Sequence, residues 1–237
     1  MLFQLDAPVV PNWFGVAIPN GVLDFTKPNL FFHPIPAQAG YNDADYPTKT
    51  GKWPQLFYYM ERLGFQVDAA IQYFAAPRNQ IVIMPFLTSA ATATGILLAD
   101  WFGIITDILS EVRFAIAGIG GTPVEISEVV VSSYSVGLVY SDSFRQKASG
   151  LQPLLKQVWD FDGYPKNLSN ALVSTSAHKV IKYDQGSEPS SYHVPIARWA
   201  AYPSPPPNLG DPNPPVNSMD VHHLIRDFMF LHAATKR

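Results

Sequence analysis

The chain has 237 residues, enough for one domain with a well-buried core, and we expect a single domain over residues 1–237. Its net charge of −3 offers no basic stripe for nucleic acid, and the lack of cysteine excludes a disulfide scaffold, thiol catalysis and cysteine-ligated zinc. Charged residues make up only 15% of the chain and hydrophobic residues 47%, which is apolar for a globular domain.

The first residues, MLFQLDAPVVPNWFGV, lack a basic segment followed by an unbroken apolar run, so we expect no signal peptide. The longest apolar stretch, 95–118, contains Asp100 and Asp107. These charges favour a buried amphipathic helix over a membrane span. The expected location is therefore the cytoplasm.

Strand and helix patterns alternate through the first half of the chain. Apolar runs at 29–36 (NLFFHPIP) and 79–86 (NQIVIMPF) predict strands that are ended by prolines. Helices are predicted within 52–74 and from about Ile96 to Gly118. The buried face of the second helix is predicted to consist of Trp101, Ile104, Ile105, Ile108 and Val112.

The second half continues the alternation. Strands are predicted at 124–133, 154–161, 178–184 and 197–202. Helices are predicted at 136–148, where Gly150 is expected to cap the end, in a short segment between the strands at 154–161 and 178–184, and at 219–237. The proline-rich segment 202–217 predicts a surface loop of the same domain.

Strands that are separated by helices of more than a dozen residues are joined by crossovers and run parallel. We therefore predict an α/β fold of three layers, in which a mostly parallel central sheet has helices on both faces. Sites in such sheets form at the carboxyl ends of the strands. Ser135 lies at that position, two residues after the end of the predicted strand 124–133.

The stretch Ser133-Tyr134-Ser135-Val136-Gly137 has the form small-x-Ser-x-Gly. In a nucleophile elbow the serine sits on a sharp strand-to-helix turn, and the residues two before and two after it must be small because they come close together. With its strand before and helix after, this motif resembles that of the α/β-hydrolase family, although serine replaces the usual glycine at 133. The resemblance implies a serine nucleophile, Ser135, in an esterase-like or lipase-like enzyme.

A serine nucleophile needs a histidine as general base, oriented by a carboxylate. The family order of serine, acid and histidine implies a histidine near the C-terminus, which leaves His222 and His223. His222 is favoured because it lies nearer the edge of the buried stripe of its predicted helix. No HExxH-like spacing accompanies this pair, and we expect neither a metal nor a cofactor.

The acid has four candidates. The family's usual position, after the second strand beyond the elbow, implies Asp184 or Glu188, and Asp184 is favoured. Some relatives place the acid one strand earlier, which would be Asp160 or Asp162. Each of these could instead be an ordinary turn carboxylate.

An oxyanion hole needs two backbone donors. The amide of Val136 follows the serine at a helix N-terminus and is the first expected donor. The family's second donor follows an early strand, where this chain has His33-Pro34 in place of His-Gly. Because proline has no N–H, Ile35 is the candidate there.

The predicted function is hydrolysis of a carboxylic ester with an apolar acyl or aryl group, through an acyl-enzyme. The partners expected are this small-molecule substrate and no nucleic acid. The alternative is a non-catalytic binding or interaction protein of the same fold. A nucleotide-binding sheet is disfavoured because the glycine-rich segment 115–125 precedes a strand instead of following one.

Overall fold

The computed structural model describes residues 1–4, 13–18, 23–33, 80–85, 100–184, 192–193 and 233. The strands within these ranges are β1 (Leu2–Gln4), β2 (Trp13–Ala17), β3 (Asp24–Phe32), β4 (Gln80–Pro85), β5 (Val129–Tyr134), β6 (Leu155–Phe161), β7 (Lys179–Asp184) and β8 (Tyr192–His193). The helices are α1 (Trp101–Ala117), α2 (Gly137–Lys147) and α3 (Lys166–Ala171), and a 3-10 turn spans Gln152–Leu154.

The described strands form one sheet in the order β1-β2-β4-β3-β5-β6-β7-β8. β2 is antiparallel to β1 and β4, and the remaining pairs are parallel. Tyr134 of β5 pairs with Phe161 of β6, which pairs with Tyr183 of β7. These three strands therefore end at the same level, and the residues that follow them share one edge of the sheet.

Helices α1 and α2 pack on the same face of the sheet. The ring of Phe32 in β3 lies 6.1 Å from that of Trp101 in α1 and 5.4 Å from that of Phe144 in α2, measured between centroids. The opposite face is buried as well. Its side chains with no more than 1% exposure include Phe31, Val130, Trp159, Phe161 and Tyr183. A mostly parallel sheet that is buried on both faces is typical of α/β proteins, and the predicted fold class is confirmed.

The ends of α1 follow from local hydrogen bonds. The Asp100 side chain accepts from the amide of Gly103 at 2.8 Å and caps the N-terminus. Gly118, at φ 67°, ends the helix and donates its amide to Phe114. Within the described ranges, no helix is long and apolar enough to cross a membrane.

The predicted strand bounds differ most where the residues are polar. Strands β4, β6 and β7 lie within one residue of the predicted segments. β3 begins at Asp24, five residues earlier than predicted, because its polar first half pairs with β4 at Gln80. β5 begins only at Val129, since the amides of Ser127 and Glu128 both donate to the one carbonyl of Thr26 in β3, outside the regular pairing of β3 and β5 that starts at Asn29 and Val130.

The prediction that Gly150 caps the helix after the elbow was wrong. Helix α2 ends at Lys147, and the amide of Ala148 donates to Phe144. Gly150 instead lies against Phe102, where an added Cβ would be 3.1 Å from the Phe102 Cβ. The predicted segments at 52–74, 197–202 and 202–217 lie outside the described residues, as does the terminal helix apart from Ala233, which is helical.

Candidate active site

Ser135 occupies the junction between β5 and α2 with a backbone φ of 55°. Among the described residues that are not glycine, only Asp162, at 49°, also has a positive φ. The left-handed region costs an L-residue roughly 1–2 kcal/mol because its Cβ approaches the following carbonyl oxygen. Ser135 therefore sits on a sharp, strained turn between a buried strand and a helix, as the sequence motif predicts.

Backbone hydrogen bonds hold this turn against the neighbouring strand. The amide of Ser135 donates to the carbonyl of Phe161 at 3.1 Å, and the carbonyl of Ser135 accepts from Tyr164 at 2.9 Å. One strand further, the amide of Asp162 donates to Tyr183 at 2.8 Å. The pairing of the parallel strands thus continues one residue beyond β5 and β6, and it fixes the backbone of Ser135 from both sides.

The two positions that the motif requires to be small are both buried. Ser133 has 0% exposure, and Gly137 begins α2 as a buried residue. Tyr134, between Ser133 and Ser135, points to the face of the sheet that is opposite to α1 and α2. Ser135 itself is half-buried, so that its side chain has access to solvent.

The residue that precedes α2 has a free backbone donor. Val136 precedes the helix without any side-chain cap, and no hydrogen bond of its amide is found in the described part of the chain. Helix N-termini carry a partial positive charge and unpaired N–H groups. A negative charge beside the hydroxyl of Ser135 would therefore lie next to the positive end of α2.

His33 packs beside the elbow from β3. Phe32 pairs with Ser133, which brings the next residue, His33, level with Tyr134. The two rings meet edge to face, with centroids 4.6 Å apart and planes at 75°, and His33 is 8% exposed. β3 and the residue that follows it, His33, therefore lie next to the elbow, whereas Ile35 lies outside the described residues.

Asp162 is held at the end of β6 by an ion pair. Its Oδ1 lies 2.7 Å from Nζ of Lys166 in the first turn of α3. The carboxylate is 7% exposed, whereas the Lys166 side chain is 38% exposed. The Asp162-Gly163 pair forms the turn that leads to Tyr164 and so to the carbonyl of Ser135.

Asp160 is a buried carboxylic acid beneath the same turn. It has 0% exposure, lies opposite Ser133 in the strand pairing, and accepts a hydrogen bond from the hydroxyl of Ser169 in α3. Burial raises its pKa from 3.8 to about 6, although the Ser169 hydroxyl and the charges of Lys166 and Lys182 act in the opposite direction. Its side chain is on the α2 face of the sheet and away from solvent.

The structure describes some of the predicted site residues but not others. Ser135 and Val136 lie together at the elbow, and Asp184 is the last residue of β7, paired with His193 of β8. His222 and Glu188 lie outside the described residues. In the described part of the chain, no group of three or more histidine, aspartate or glutamate residues could hold a metal ion.

The hydrogen bond between Asp160 and Ser169 and the positive φ of Asp162 were not predicted. The letters DFDGYP at 160–165 carry a signal for the turn, because Asp-Gly and Tyr-Pro pairs mark chain reversals. Nothing in that signal indicates that Asp160 bonds to Ser169 whereas Asp162 pairs with Lys166. Residues two apart along a strand share a face, so the difference arises at the end of β6, where Asp162 lies beyond the strand with a positive φ.

No protein-family model matches the chain, and no curated protein matches it. One crystal structure similar to it is that of a protein of unknown function from Agrobacterium tumefaciens, described as a candidate α/β-hydrolase. The two share 9% identity with a TM-score of 0.41, over 78% of this chain and 69% of the other. This likeness is too low to identify a family.

Proposed function

We propose that this protein is a serine hydrolase that cleaves a carboxylic ester and that Ser135 is its nucleophile. The observation that carries the proposal is the positive φ of Ser135 at the carboxyl end of a buried parallel strand. Glycine would adopt that conformation without the steric cost that serine bears. A strained non-glycine residue at such a position is typical of functional sites, and the Ser135 hydroxyl is the reactive group that this turn carries.

The unbonded amide of Val136 supports acyl-transfer chemistry. An attack by Ser135 Oγ on a carbonyl creates an oxyanion, which needs donors that are fixed before the reaction. The amide of the residue after the nucleophile is held by the start of α2, and the helix dipole adds to its positive potential. We assign it as one donor and propose the amide of Ile35 as the second.

The spacing of the strands favours Asp184 as the acid. Adjacent strands lie about 4.8 Å apart, so the ends of β5 and β7 are separated by about 10 Å. That interval has room for an imidazole ring with a hydrogen bond of about 3 Å on each side. Asp162 is one strand closer, and its carboxylate is already bonded to Lys166. We propose His222 as the base between Ser135 and Asp184.

In the proposed reaction, His222 removes the proton from Ser135 Oγ as that oxygen bonds to the ester carbonyl carbon. The resulting oxyanion accepts hydrogen bonds from the Val136 and Ile35 amides. Collapse breaks the bond to the alcohol oxygen, which takes the proton from His222 and leaves an acyl-enzyme. Water, deprotonated by His222, then attacks the acyl carbon and releases the acid, and the proton returns to Ser135.

An exposed aromatic ring near the elbow favours an apolar acyl or aryl substrate. Tyr164 is 62% exposed, although its own amide is bonded to the carbonyl of Ser135. Large aromatic side chains are stabilised by covering their faces, and an apolar ligand beside Ser135 would do so. This observation supports an aryl or medium-chain ester over a charged substrate.

The test is turnover of p-nitrophenyl acetate and p-nitrophenyl butyrate by the full chain. Ser135→Ala should abolish turnover, and Ser149→Ala, which changes an exposed serine beyond the end of α2, should not affect it. Circular dichroism confirms that both variants fold. Turnover that survives in Ser135→Ala would contradict the assignment of the nucleophile. A folded wild-type protein without any turnover would contradict the enzyme and favour the non-catalytic binding protein.

A further inference from the structure

One carboxylate oxygen of Asp160 accepts a hydrogen bond, and the other accepts none within the described residues. Oδ2 accepts from the hydroxyl of Ser169, and Oδ1 has no hydrogen-bond partner in the described part of the chain. The residue is wholly buried, so this oxygen cannot turn to water. A buried carboxylate oxygen without a donor is costly, and its position therefore needs an explanation.

The unbonded oxygen fills the space beneath the turn that follows β6. A Cβ added at Gly163 would overlap Asp160 Oδ1 and lie 2.7 Å from Cδ2 of Leu138 in the first turn of α2. The carboxyl group is thus packed between the turn and the start of the helix that the elbow leads into. Only glycine fits at 163 while Asp160 is in place.

The turn that rests on Asp160 is the one that bonds the proposed nucleophile. Gly163 is followed by Tyr164, whose amide donates to the carbonyl of Ser135. On the other side, Ser169 is fixed because its carbonyl accepts from Nζ of Lys182 at 2.7 Å. Asp160 therefore connects β7 and α3 to the elbow through one continuous set of contacts.

We propose that Asp160 is a positioning residue that holds the Gly163–Tyr164 turn in place and thereby sets the backbone of Ser135. It does not touch substrate, and it acts only through the Tyr164 amide. The proposal rests on the proposed function for its effect on catalysis. The effect on the turn is independent of any activity.

The groups that face Asp160 make its protonation state part of this role. They are Asp162 on its own strand end, Lys166 in α3, Lys182 in β7 and Arg145 in α2. Burial is the largest influence and raises the pKa to about 6. The neutral acid fits the buried space beside Gly163 better than the anion, so the turn is held most firmly below that pH.

Hydrogen exchange at the Tyr164 amide tests the proposal without reference to turnover. Asp160→Ala should lower the protection of this amide by about tenfold at pH 5, the size that coupling through a packed contact reaches. Asp160→Asn, which keeps an oxygen for Ser169 and has no charge, should retain the protection at pH 5 and exceed the wild type at pH 7.5. Asp107→Asn, an exposed position on α1, is the matched control. Unchanged protection in Asp160→Ala, or equal loss in both Asp160 variants, would overturn the proposal.

The kinetic arm measures p-nitrophenyl butyrate hydrolysis by the same variants. Asp160→Ala should lower kcat by about tenfold with KM nearly unchanged, since the residue acts on the nucleophile and not on binding. Asp160→Asn should restore kcat and remove any Asp160 contribution to its pH profile. Parallel changes in kcat and KM would overturn the positioning role. If the wild-type protein lacks turnover, the proposed function fails, and the exchange result still decides whether Asp160 holds the turn.

Discussion

The amide of Tyr164 donates to the carbonyl oxygen of Ser135 at 2.9 Å, so a turn after β6 is tied to a turn after β5. The second tie, from the Ser135 amide to Phe161, fixes the other side of the same residue. Two backbone bonds to one strained serine explain how an unfavourable φ persists in the folded chain. The elbow is therefore a property of two strands and not of the five-residue motif alone.

The strain at Ser135 predicts that a glycine variant at this position is more stable than an alanine variant. Ser135→Gly should be more stable than Ser135→Ala by about 1 kcal/mol, because both variants lose the hydroxyl but only alanine keeps a Cβ in the left-handed region. Urea denaturation of the two variants measures the difference directly. Equal stabilities, or a more stable alanine variant, would show that Ser135 is not strained in solution.

The proposed triad predicts one large effect among the candidate acids. Asp184→Asn should lower kcat by about 10⁴-fold, because the base loses the group that sets its tautomer. Asp162→Asn should cost far less, since that carboxylate is bonded to Lys166. Steady-state kinetics on p-nitrophenyl butyrate, with Glu188→Gln measured beside them, distinguish the candidates. If Asp162→Asn instead caused the largest loss of kcat, the acid of the triad would be Asp162, at the end of β6.

The raised pKa of Asp160 predicts that the free energy of unfolding falls as the pH rises. Its pKa in the folded chain is about 6 against an ordinary value of 3.8, so the folded state holds the proton more tightly. The stabilisation from that proton is complete below pH 3.8 and is lost as the pH rises through about 6. The loss amounts to about 3 kcal/mol, given 1.36 kcal/mol for each pKa unit.

Asp160→Asn removes this pH dependence. Between pH 4 and pH 7 its free energy of unfolding should gain on that of the wild type by about 2.4 kcal/mol, because part of the full loss occurs below pH 4. Denaturant titrations at each pH provide the measurement, and Asp107→Asn controls for a lost surface charge. A constant difference between the variant and the wild type across that range would mean that Asp160 ionises normally in the folded chain.

Tyr164 predicts a change in substrate preference. Tyr164→Ala should raise KM for p-nitrophenyl butyrate more than for p-nitrophenyl acetate, because the longer acyl group has more apolar surface for the ring to cover. The backbone bond to Ser135 is kept, so kcat should change little. Val173→Ala, at a residue with 64% exposure in the connection to β7, is the control. Equal effects on the two esters would place Tyr164 outside the acyl site.

The sequence predicted those elements whose own residues specify them. The apolar run of β4 and the mixed apolar and polar segments of β6 and β7 were predicted as strands, and their bounds were correct within one residue. β1, β2 and β8 were not predicted, because strands as short as Tyr192–His193 exist through pairing with a neighbour. Pairing is a tertiary property that no local pattern carries.

The elbow could be predicted because its spacing has a steric cause. The Asp160–Ser169 hydrogen bond could not, since nine residues and a turn separate the two side chains. A carboxyl group in β6 can face either solvent or a helix. Which of the two it faces depends on which side of the strand packs against α2. The partners His222 and Asp184 remain predictions that rest on chain order and on the position of β7.

The most direct test of the central claim is the site of covalent labelling by a fluorophosphonate. We predict that the full-length protein gains one phosphonyl group, that peptide mass spectrometry locates it on Ser135, and that Ser135→Ala gains none while Ser133→Ala is labelled like the wild type. An adduct on another serine, or a folded wild-type protein that is not labelled, would contradict the assignment of Ser135 as the nucleophile.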